Sequence, residues 1–139
     1  MKNILILMTL ASMMMMPNAA NAKKSKATQV KIDYIFKNVV EGYDHKNKII
    51  VYVDGRKVGE SGTKLETEKN TFSFDITPGT HDIKIVNMAY YENKWEEHTL
   101  DNGYSYDCIV ELDNKVIKKS IAISIIFDID KSEPTYTVK

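Results

Sequence analysis

Histidine, cysteine and carboxylate side chains are the groups of this chain that could perform chemistry. The three histidines, His45, His81 and His98, are far apart in the sequence, and each has an acidic neighbour. Catalytic or structural metal sites usually show at least one pair of ligands at short, regular spacing. The histidines form no such pair, so the sequence predicts surface histidines beside carboxylates and no catalytic residue, metal site or cofactor.

Cys108 is the only cysteine, and it lies in a segment of alternating apolar and polar residues from Tyr104 to Leu112. A single cysteine cannot form an internal disulfide, so the fold must be stabilised by its core. Cys108 is either a buried, small apolar side chain or an exposed thiol that reacts or pairs with another chain, which would need a nearby cation. We expect the buried form.

Two other patterns are similar to known sites but have simpler explanations. The segment Gly59-Glu60-Ser61-Gly62-Thr63 has Thr63 where a nucleophile elbow requires its second glycine, and it follows a predicted hairpin. Asp128 and Asp130 offer carboxylate oxygens that Ca²⁺ could bind, but they match no twelve-residue calcium loop, and turn chemistry with a solvated strand face is the simpler explanation. We expect neither pattern to form a site.

Aromatic residues surround the tip of one predicted hairpin and form the candidate binding surface of the chain. This surface consists of Tyr90, Tyr91, Asn93, Lys94 and Trp95. Exposed rings beside amide and charged groups are typical of sugar-binding and protein-binding surfaces. Alternatively, Tyr91 and Trp95 cover the end of the core and stabilise the hairpin through cross-strand pairing.

The elements that position these residues are predicted to be β-strands, because apolar and polar residues alternate with period two along most of the chain. No window shows an apolar stripe at helical spacing, and Asp54-Gly55 and Pro78-Gly79 are turn signals. The sequence therefore predicts an all-β fold, a two-layer antiparallel β-sandwich of about seven to eight strands. The predicted strands cover 30–37, 48–54, 56–60, 72–76, 80–91, 95–100, 104–112 and 121–129.

The first 22 residues are predicted to be a cleaved secretory signal peptide. Lys2 precedes an apolar run from Ile4 to Met16, and Ala20 and Ala22 match the small-residue pattern before a cleavage site. This run is shorter than the roughly 20 residues needed to span a bilayer. We therefore expect an exported chain, in the periplasm or the extracellular medium, without a membrane span after cleavage.

Cleavage would leave residues 23–139, the size of one domain. The full chain has 19 basic and 19 acidic residues, and cleavage would remove one basic residue, Lys2. The resulting net charge of −1 gives no reason to expect binding to nucleic acid or to an anionic membrane surface. We expect a monomer or a weakly associating chain.

Three segments between residues 49 and 112 match a known bacterial module: Val53-Asp54-Gly55 to Val58-Gly59, Ile76 to Ile85, and Leu100 to Tyr104. On these segments the chain resembles the PEGA-type modules of bacterial envelope proteins, whose architecture is related to the transthyretin-like (carboxypeptidase regulatory-like) sandwiches. The Pro-Glu-Gly-Ala signature is absent, and Ser61-Gly62-Thr63-Lys64 stands in its place. The resemblance implies a β-sandwich core and a module without catalytic residues.

Three classes of function are compatible with these features. The first, which we expect, is an exported non-enzymatic interaction module of the bacterial cell envelope, whose unknown partner is an envelope protein. Its last strand or the segment Thr135–Val138 could pair with a partner's strand. The second is a carbohydrate-binding module that contacts an envelope glycan through the aromatic hairpin tip. The third is an enzyme with a site assembled from distant residues, which a cleft with a paired histidine and carboxylate would favour.

Overall fold

The computed structural model describes residues 26–139, so the predicted signal peptide, residues 1–22, lies outside the described residues. The described chain is an all-β sandwich of two sheets, as predicted. One three-residue 3₁₀ turn, Leu100–Asn102, is the only helical segment in this range, so no helix there could cross a membrane. In chain order the strands are β1 (Thr28–Lys37), β2 (Lys46–Val53), β3 (Arg56–Glu60), β4 (Lys64–Leu65), β5 (Asn70–Ile76), β6 (Gly79–Tyr91), β7 (Lys94–Glu97), β8 (Ile109–Ile117), β9 (Ile121–Asp128) and β10 (Thr135–Val138).

The first sheet has the strand order β10-β9-β1-β5. Strand β1 pairs antiparallel with β5 but parallel with β9, from Val30 opposite Ile121 to Lys37 opposite Asp128. This parallel pair departs from the predicted antiparallel arrangement. In the second sheet β6 pairs with β2 along one side and with β8 and then β7 along the other, while β3 and β4 flank β2.

Inward-facing side chains from both sheets form one apolar core, as the period-two pattern predicts. Cys108 is completely buried within it, which confirms the expectation for this residue. Each buried aliphatic or aromatic side chain contributes roughly 1.5–3 kcal/mol relative to its exposed state. The most buried apolar side chains include Val30, Ile32, Tyr34, Ile49, Val51, Ile83, Ile85, Ile117, Ile123, Ile125 and Phe127.

Two tight turns set the register of the hairpins. Asp54 and Gly55 have φ values of 51° and 78°, and Glu92 and Asn93 have φ values of 47° and 64°. Two successive residues with positive φ are typical of a type I′ turn, whose twist matches that of the paired strands. The second turn places Tyr90 opposite Trp95. The hairpins predicted around Asp54-Gly55 and around Glu92 to Lys94 are confirmed.

The strand predicted over residues 104–112 is confirmed only from Ile109 onwards, and it does not end at Leu112. Strand β8 begins only at Ile109 and continues through Asn114 to Ile117. Asn114 has a φ of 51°, and the pairing of β8 with β6 shifts register there. Asparagine tolerates this left-handed conformation, so the Asp-Asn pair forms a bulge within the strand. The strand predicted over 95–100 likewise ends early, at Glu97.

Two connections are more complex than the sequence indicates. The turn signal Pro78-Gly79 does not form a hairpin, because β5 belongs to the first sheet and β6 to the second. The charged segment Ser61–Asn70, which lies between two predicted strands, contains β4 and buries Ser61, Glu66 and Asn70. The segment Thr135–Val138 forms β10 and pairs antiparallel with β9, so one of its two edges is already hydrogen-bonded within the protein.

Candidate functional site

A cleft lies at the end of the sandwich where β1, β6 and β9 finish. It consists of two adjoining cavities of about 230 and 250 Å³, which share Tyr43, His45, Gly103 and Tyr104. We call this feature the end cleft. Its remaining lining residues are Val39, Val40, Glu66, His98, Ser105 and Ile129 in the first cavity and Tyr91, Glu96 and Asn102 in the second.

Glu66 is the most unusual residue of the end cleft because its carboxyl group is almost completely buried. Its backbone N–H donates to the His45 carbonyl (3.0 Å), and its carbonyl accepts from the Phe36 N–H (3.3 Å). These bonds tie the 61–70 segment to β1 and to the residue just before β2, with the Glu66 side chain facing the interior. The residue is 2% exposed, and within residues 26–139 its Oε1 has no hydrogen-bond partner. Such an unsatisfied buried atom costs about 1–3 kcal/mol.

His98 lies beside Glu66 and is also 2% exposed. Its ring lies between those of Phe36 and Tyr104, with centroid distances of 5.1 and 4.0 Å. Asn87 donates through Nδ2 to Asn47 Oδ1 (3.0 Å), so the Asn87 oxygen faces His98 Nδ1 at 3.2 Å. An amide oxygen only accepts hydrogen bonds, so Nδ1 of His98 carries the hydrogen.

Burial decides the charge of both side chains. Oε1 of Glu66 lies 3.5 Å from His98 Nδ1 and 3.7 Å from His45 Nδ1. Burial raises the pKa of Glu66 to about 8, with the nearby Asp44 adding to it and the His45 backbone opposing it. Burial also lowers the pKa of His98 to about 3. At neutral pH Glu66 and His98 are therefore both mainly uncharged and do not form an ion pair.

Aromatic rings form the rim of the end cleft. The half-buried His45 makes edge-to-face contacts with Tyr91 and Tyr104, at centroid distances of 5.5 and 6.0 Å. The Tyr104 hydroxyl donates to Glu96 Oε1 (2.9 Å). Tyr43 and Tyr91 are 65% and 46% exposed. In the described range, no Lys or Arg lines the end cleft.

The structure divides the five predicted surface residues between two faces. Tyr90 and Trp95 contact each other on the outer face of the second sheet, with ring centroids 5.2 Å apart and planes inclined by 56°. Lys48 Nζ lies 4.6 Å from the centroid of the Trp95 ring. Asn93 and Lys94 are exposed at the hairpin tip. Tyr91 lies on the opposite face, in the rim of the end cleft.

His81 is held by partners other than its sequence neighbour Asp82. Its Nδ1 lies 2.7 Å from Asp54 Oδ2 and its Nε2 lies 2.9 Å from the Thr77 carbonyl. The hydrogen bond with the Asp54 carboxylate raises the pKa of His81, with the Thr77 carbonyl contributing. Because the Asp54 carboxylate and the Thr77 carbonyl are both acceptors, the geometry suits a ring that donates from both nitrogens, and His81 joins two turns of the sandwich.

The other sequence patterns have structural roles. Ser61 Oγ accepts from the Ile49 N–H (3.0 Å) and lies 3.4 Å from the Tyr34 hydroxyl, so it belongs to a buried hydrogen-bond network. Asp128 accepts from Asn38 (2.7 Å) and from the backbone of Asp130 (3.1 Å), which is turn chemistry. Within residues 26–139 no group of three or more His, Cys, Asp or Glu side chains is arranged to hold a metal ion.

No sequence signal identified Glu66. It stands in the polar segment Lys64-Leu65-Glu66-Thr67-Glu68-Lys69, where its neighbours Lys64, Leu65, Glu68 and Lys69 are exposed. Its contacts come from segments far away in the chain, and local composition carries no information about them. The sequence places His45 and His98 next to acidic residues, but in the structure the acidic side chain that both histidines approach is that of Glu66.

No protein-family model and no curated protein matches the sequence. Solved structures that align with the chain include a Gram-negative toxin (11% identity, TM-score 0.36), listeriolysin O (19%, 0.32) and the cytotoxin suilysin from Streptococcus suis (12%, 0.34). Each alignment covers 81% of this chain but only 22% or 23% of the toxin chain. Similarity at these TM-scores supports no functional argument, and the resemblance to PEGA-type modules stays a prediction.

Proposed function

We propose that this chain is an exported, non-enzymatic binding module of the bacterial cell envelope and that the end cleft is its binding site. One observation carries the choice of site: Glu66 Oε1 is buried without a hydrogen-bond partner at the base of the end cleft. Folded proteins rarely leave such atoms unsatisfied, and departures from this rule are expected at functional sites. A ligand that supplies the missing interaction would explain the departure.

The proximity of Glu66 and His98 raises the possibility of catalysis, but their surroundings favour binding. The His98 ring is enclosed by Phe36 and Tyr104, and burial lowers its pKa to about 3, so it is a weak base. The Cys108 thiol is completely buried, and burial raises its pKa, so it is a poor nucleophile. These groups support a recognition site without an activated nucleophile.

The exposed rings also favour the end cleft over the hairpin tip. Tyr43 and Tyr91 stand on the rim with about half or more of their surface accessible. Trp95 contacts both the Tyr90 ring and the Lys48 ammonium group, which agrees with a structural role in the hairpin. Accessible tyrosines around a pocket are typical anchors of protein interfaces, because they supply contact area at low entropic cost.

Site-specific photocrosslinking in cells would test the proposal. A photoreactive phenylalanine analogue would replace Tyr43 or Tyr91 on the rim, and Tyr136 of β10 would serve as the matched control. Tyr136 is 45% exposed, similar to Tyr91, but lies in the first sheet. We expect one abundant crosslinked partner from each rim position and none from Tyr136.

The control position also tests the alternative that a strand edge recruits the partner. Crosslinks from Tyr136 alone would show that β10 is the contact and that the end cleft is not. An absence of crosslinked protein from all three positions, with normal amounts of the exported chain, would contradict an interaction module with a protein partner at this cleft.

A further inference from the structure

The chemistry of the end cleft indicates what kind of group its ligand presents. Resting on the proposed function, we propose that the end cleft recognises a cationic group, an alkylammonium or guanidinium, through its aromatic rim and the Glu66 carboxylate beneath it. In a protein partner this group would be a lysine or arginine side chain. The same chemistry is found in small ammonium compounds, and the experiment below separates the two sources.

The first argument is the missing countercharge. A buried carboxyl group normally has a basic partner or a full set of hydrogen bonds. Among residues 26–139, the basic side chains within 4.0 Å of the Glu66 carboxylate are the imidazoles of His45 and His98. Burial keeps His98 uncharged, so it supplies no positive charge. Apart from the half-buried His45 imidazole at 3.7 Å, the described residues therefore place no basic group that could carry a positive charge beside this buried acid.

The second argument is the composition of the rim. Tyr43, His45, Tyr91 and Tyr104 place several π-systems around the opening. The faces of aromatic rings attract cations, and clusters of such rings are known to recognise ammonium groups. The Glu96 carboxylate, which accepts from Tyr104 and lies 3.5 Å from Lys94 Nζ, adds an acidic group at the opening. The described lining contains neither Lys nor Arg, so no permanently charged basic side chain lines the cleft to repel a cationic ligand.

A neutral sugar fits these features less well. Sugar recognition relies on several donors and acceptors that converge on hydroxyl groups, in addition to a ring that covers an apolar face. In the end cleft the Tyr104 hydroxyl is engaged by Glu96, and His98 Nδ1 is engaged by Asn87. Among the buried polar atoms that line the end cleft within residues 26–139, Glu66 Oε1 is the one without a hydrogen-bond partner, and a cation would pair with the ionised carboxylate through its charge as well as through hydrogen bonds.

Cation binding at Glu66 should be linked to loss of its proton. The titratable groups that surround Glu66 are His45, His98, Asp44, Tyr104 and Cys108. Burial raises the pKa of Tyr104 and Cys108, so both stay protonated near neutral pH. Because Glu66 must ionise to pair with a cation, affinity should increase up to about tenfold per pH unit until the pH reaches about 8.

The test is an NMR titration of the purified exported chain with choline and with its neutral isostere 3,3-dimethyl-1-butanol. We expect choline to shift the resonances of His45, Tyr91 and Tyr104 in a saturable manner. The isostere should bind at least about tenfold more weakly, since it lacks the charge. Equal binding of the two compounds, or binding of neither, would overturn the proposal. Saturable shifts with N-acetylglucosamine but not with choline would identify a glycan site instead.

Substitutions test which residues bind choline. Glu66→Gln keeps the shape of the side chain and should weaken choline binding about tenfold or more. Glu133→Gln removes the same formal charge from an exposed position and should leave binding unchanged. Since Glu66→Gln also alters the interior, the exposed Tyr91→Leu provides a second test and should weaken binding without unfolding the protein. In His45→Asn the affinity for choline should still rise with pH, because the dependence on pH belongs to Glu66. Normal affinity in both Glu66→Gln and Tyr91→Leu would reject the site.

Competition separates the sources of the cation and keeps this inference distinct from the proposed function. If a protein partner inserts a lysine or arginine, saturating choline should decrease the crosslinks formed at Tyr91. Crosslinks that persist while choline occupies the site would show that the partner does not use the cation site. Crosslinks at Tyr43 and Tyr91 without any choline binding would leave the binding module in place and overturn only the cationic ligand.

Discussion

Replacing Glu66 by glutamine should stabilise the protein by an amount that grows with pH. The substitution keeps the length and planarity of the side chain but removes its titration. Glu66 is 2% exposed, and burial raises its pKa from 4.5 to about 8. At neutral pH the folded protein therefore keeps a proton on Glu66 that the unfolded chain has already released.

The magnitude follows from proton linkage. A group whose pKa is raised by folding supports the fold fully below its unfolded pKa and progressively loses that contribution as the pH rises to its folded pKa. For Glu66 this interval extends from pH 4.5 to about 8. Each pH unit corresponds to about 1.4 kcal/mol, so the free energy of unfolding falls by roughly 3 kcal/mol by pH 7 and by roughly 5 kcal/mol above pH 8. Glu66→Gln should remove this decrease.

The assay is denaturant-induced unfolding of the original protein and the variant at a series of pH values. Only the difference between the two free energies is used, because contributions from other titrating groups then cancel. A constant cost of accommodating the amide shifts all differences equally and leaves the slope unchanged. Glu133→Gln, which removes an exposed carboxylate, should show no such slope between pH 4.5 and 8.

A difference that does not change with pH, or that falls as the pH rises, would refute the reasoning. A falling difference would mean that the folded protein stabilises ionised Glu66, for example through a positively charged His45. The end cleft would then already contain its countercharge, and the case for a cationic ligand would fail with it.

Two glycine substitutions and one thiol-modification experiment test the packing of the sandwich. Gly59→Ala would place a Cβ atom 2.6 Å from Phe72 Cζ, so we expect the unfolding free energy to fall by about 1–3 kcal/mol. In the control Gly62→Ala the new Cβ atom meets nothing within 4 Å, so the unfolding free energy should change by less than about 0.5 kcal/mol. A disulfide reagent should not modify Cys108 in the folded protein but should modify it after unfolding, since its thiol is buried and its pKa is raised. Equal losses in the two glycine variants, or fast modification of folded Cys108, would contradict the described packing.

The fold could be predicted from the sequence where local chemistry decides it. Alternation along Val30–Phe36 and Ile121–Phe127 correctly indicated half-buried strands, and Asp54-Gly55 correctly indicated a hairpin turn. The errors arose where a local signal has two outcomes. Asp113-Asn114 can end a strand or form a bulge, and only its pairing with β6 decides between them. The parallel contact of β1 with β9 joins segments about ninety residues apart, and no turn signal reports it.

The candidate site could be predicted only in part. Tyr91 was included in the predicted surface and does line the end cleft, but Tyr90 and Trp95 face the other way. Adjacent residues of a strand point to opposite faces, so the five residues could not all share one surface. Glu66 was missed because its burial depends on backbone hydrogen bonds to His45, which precedes β2, and to Phe36 of β1, both far away in the chain. A pattern within ten residues contains none of this information.

The end cleft combines an acid and a base whose burial opposes folding at opposite ends of the pH scale. Ionisation of Glu66 in the unfolded chain lowers stability above pH 4.5, whereas protonation of His98 in the unfolded chain lowers stability below pH 6.5, because its folded pKa is about 3. Between pH 4.5 and 6.5 both effects act, and the cost from Glu66 grows with pH while the cost from His98 shrinks, so their sum stays near roughly 3 kcal/mol. Outside this interval the sum is larger, so this pair opposes folding least in mildly acidic solution. At neutral pH only the effect of Glu66 remains, and a cationic ligand would remove it by pairing with the ionised carboxylate. The same unsatisfied group that weakens the free protein would thereby strengthen its complex.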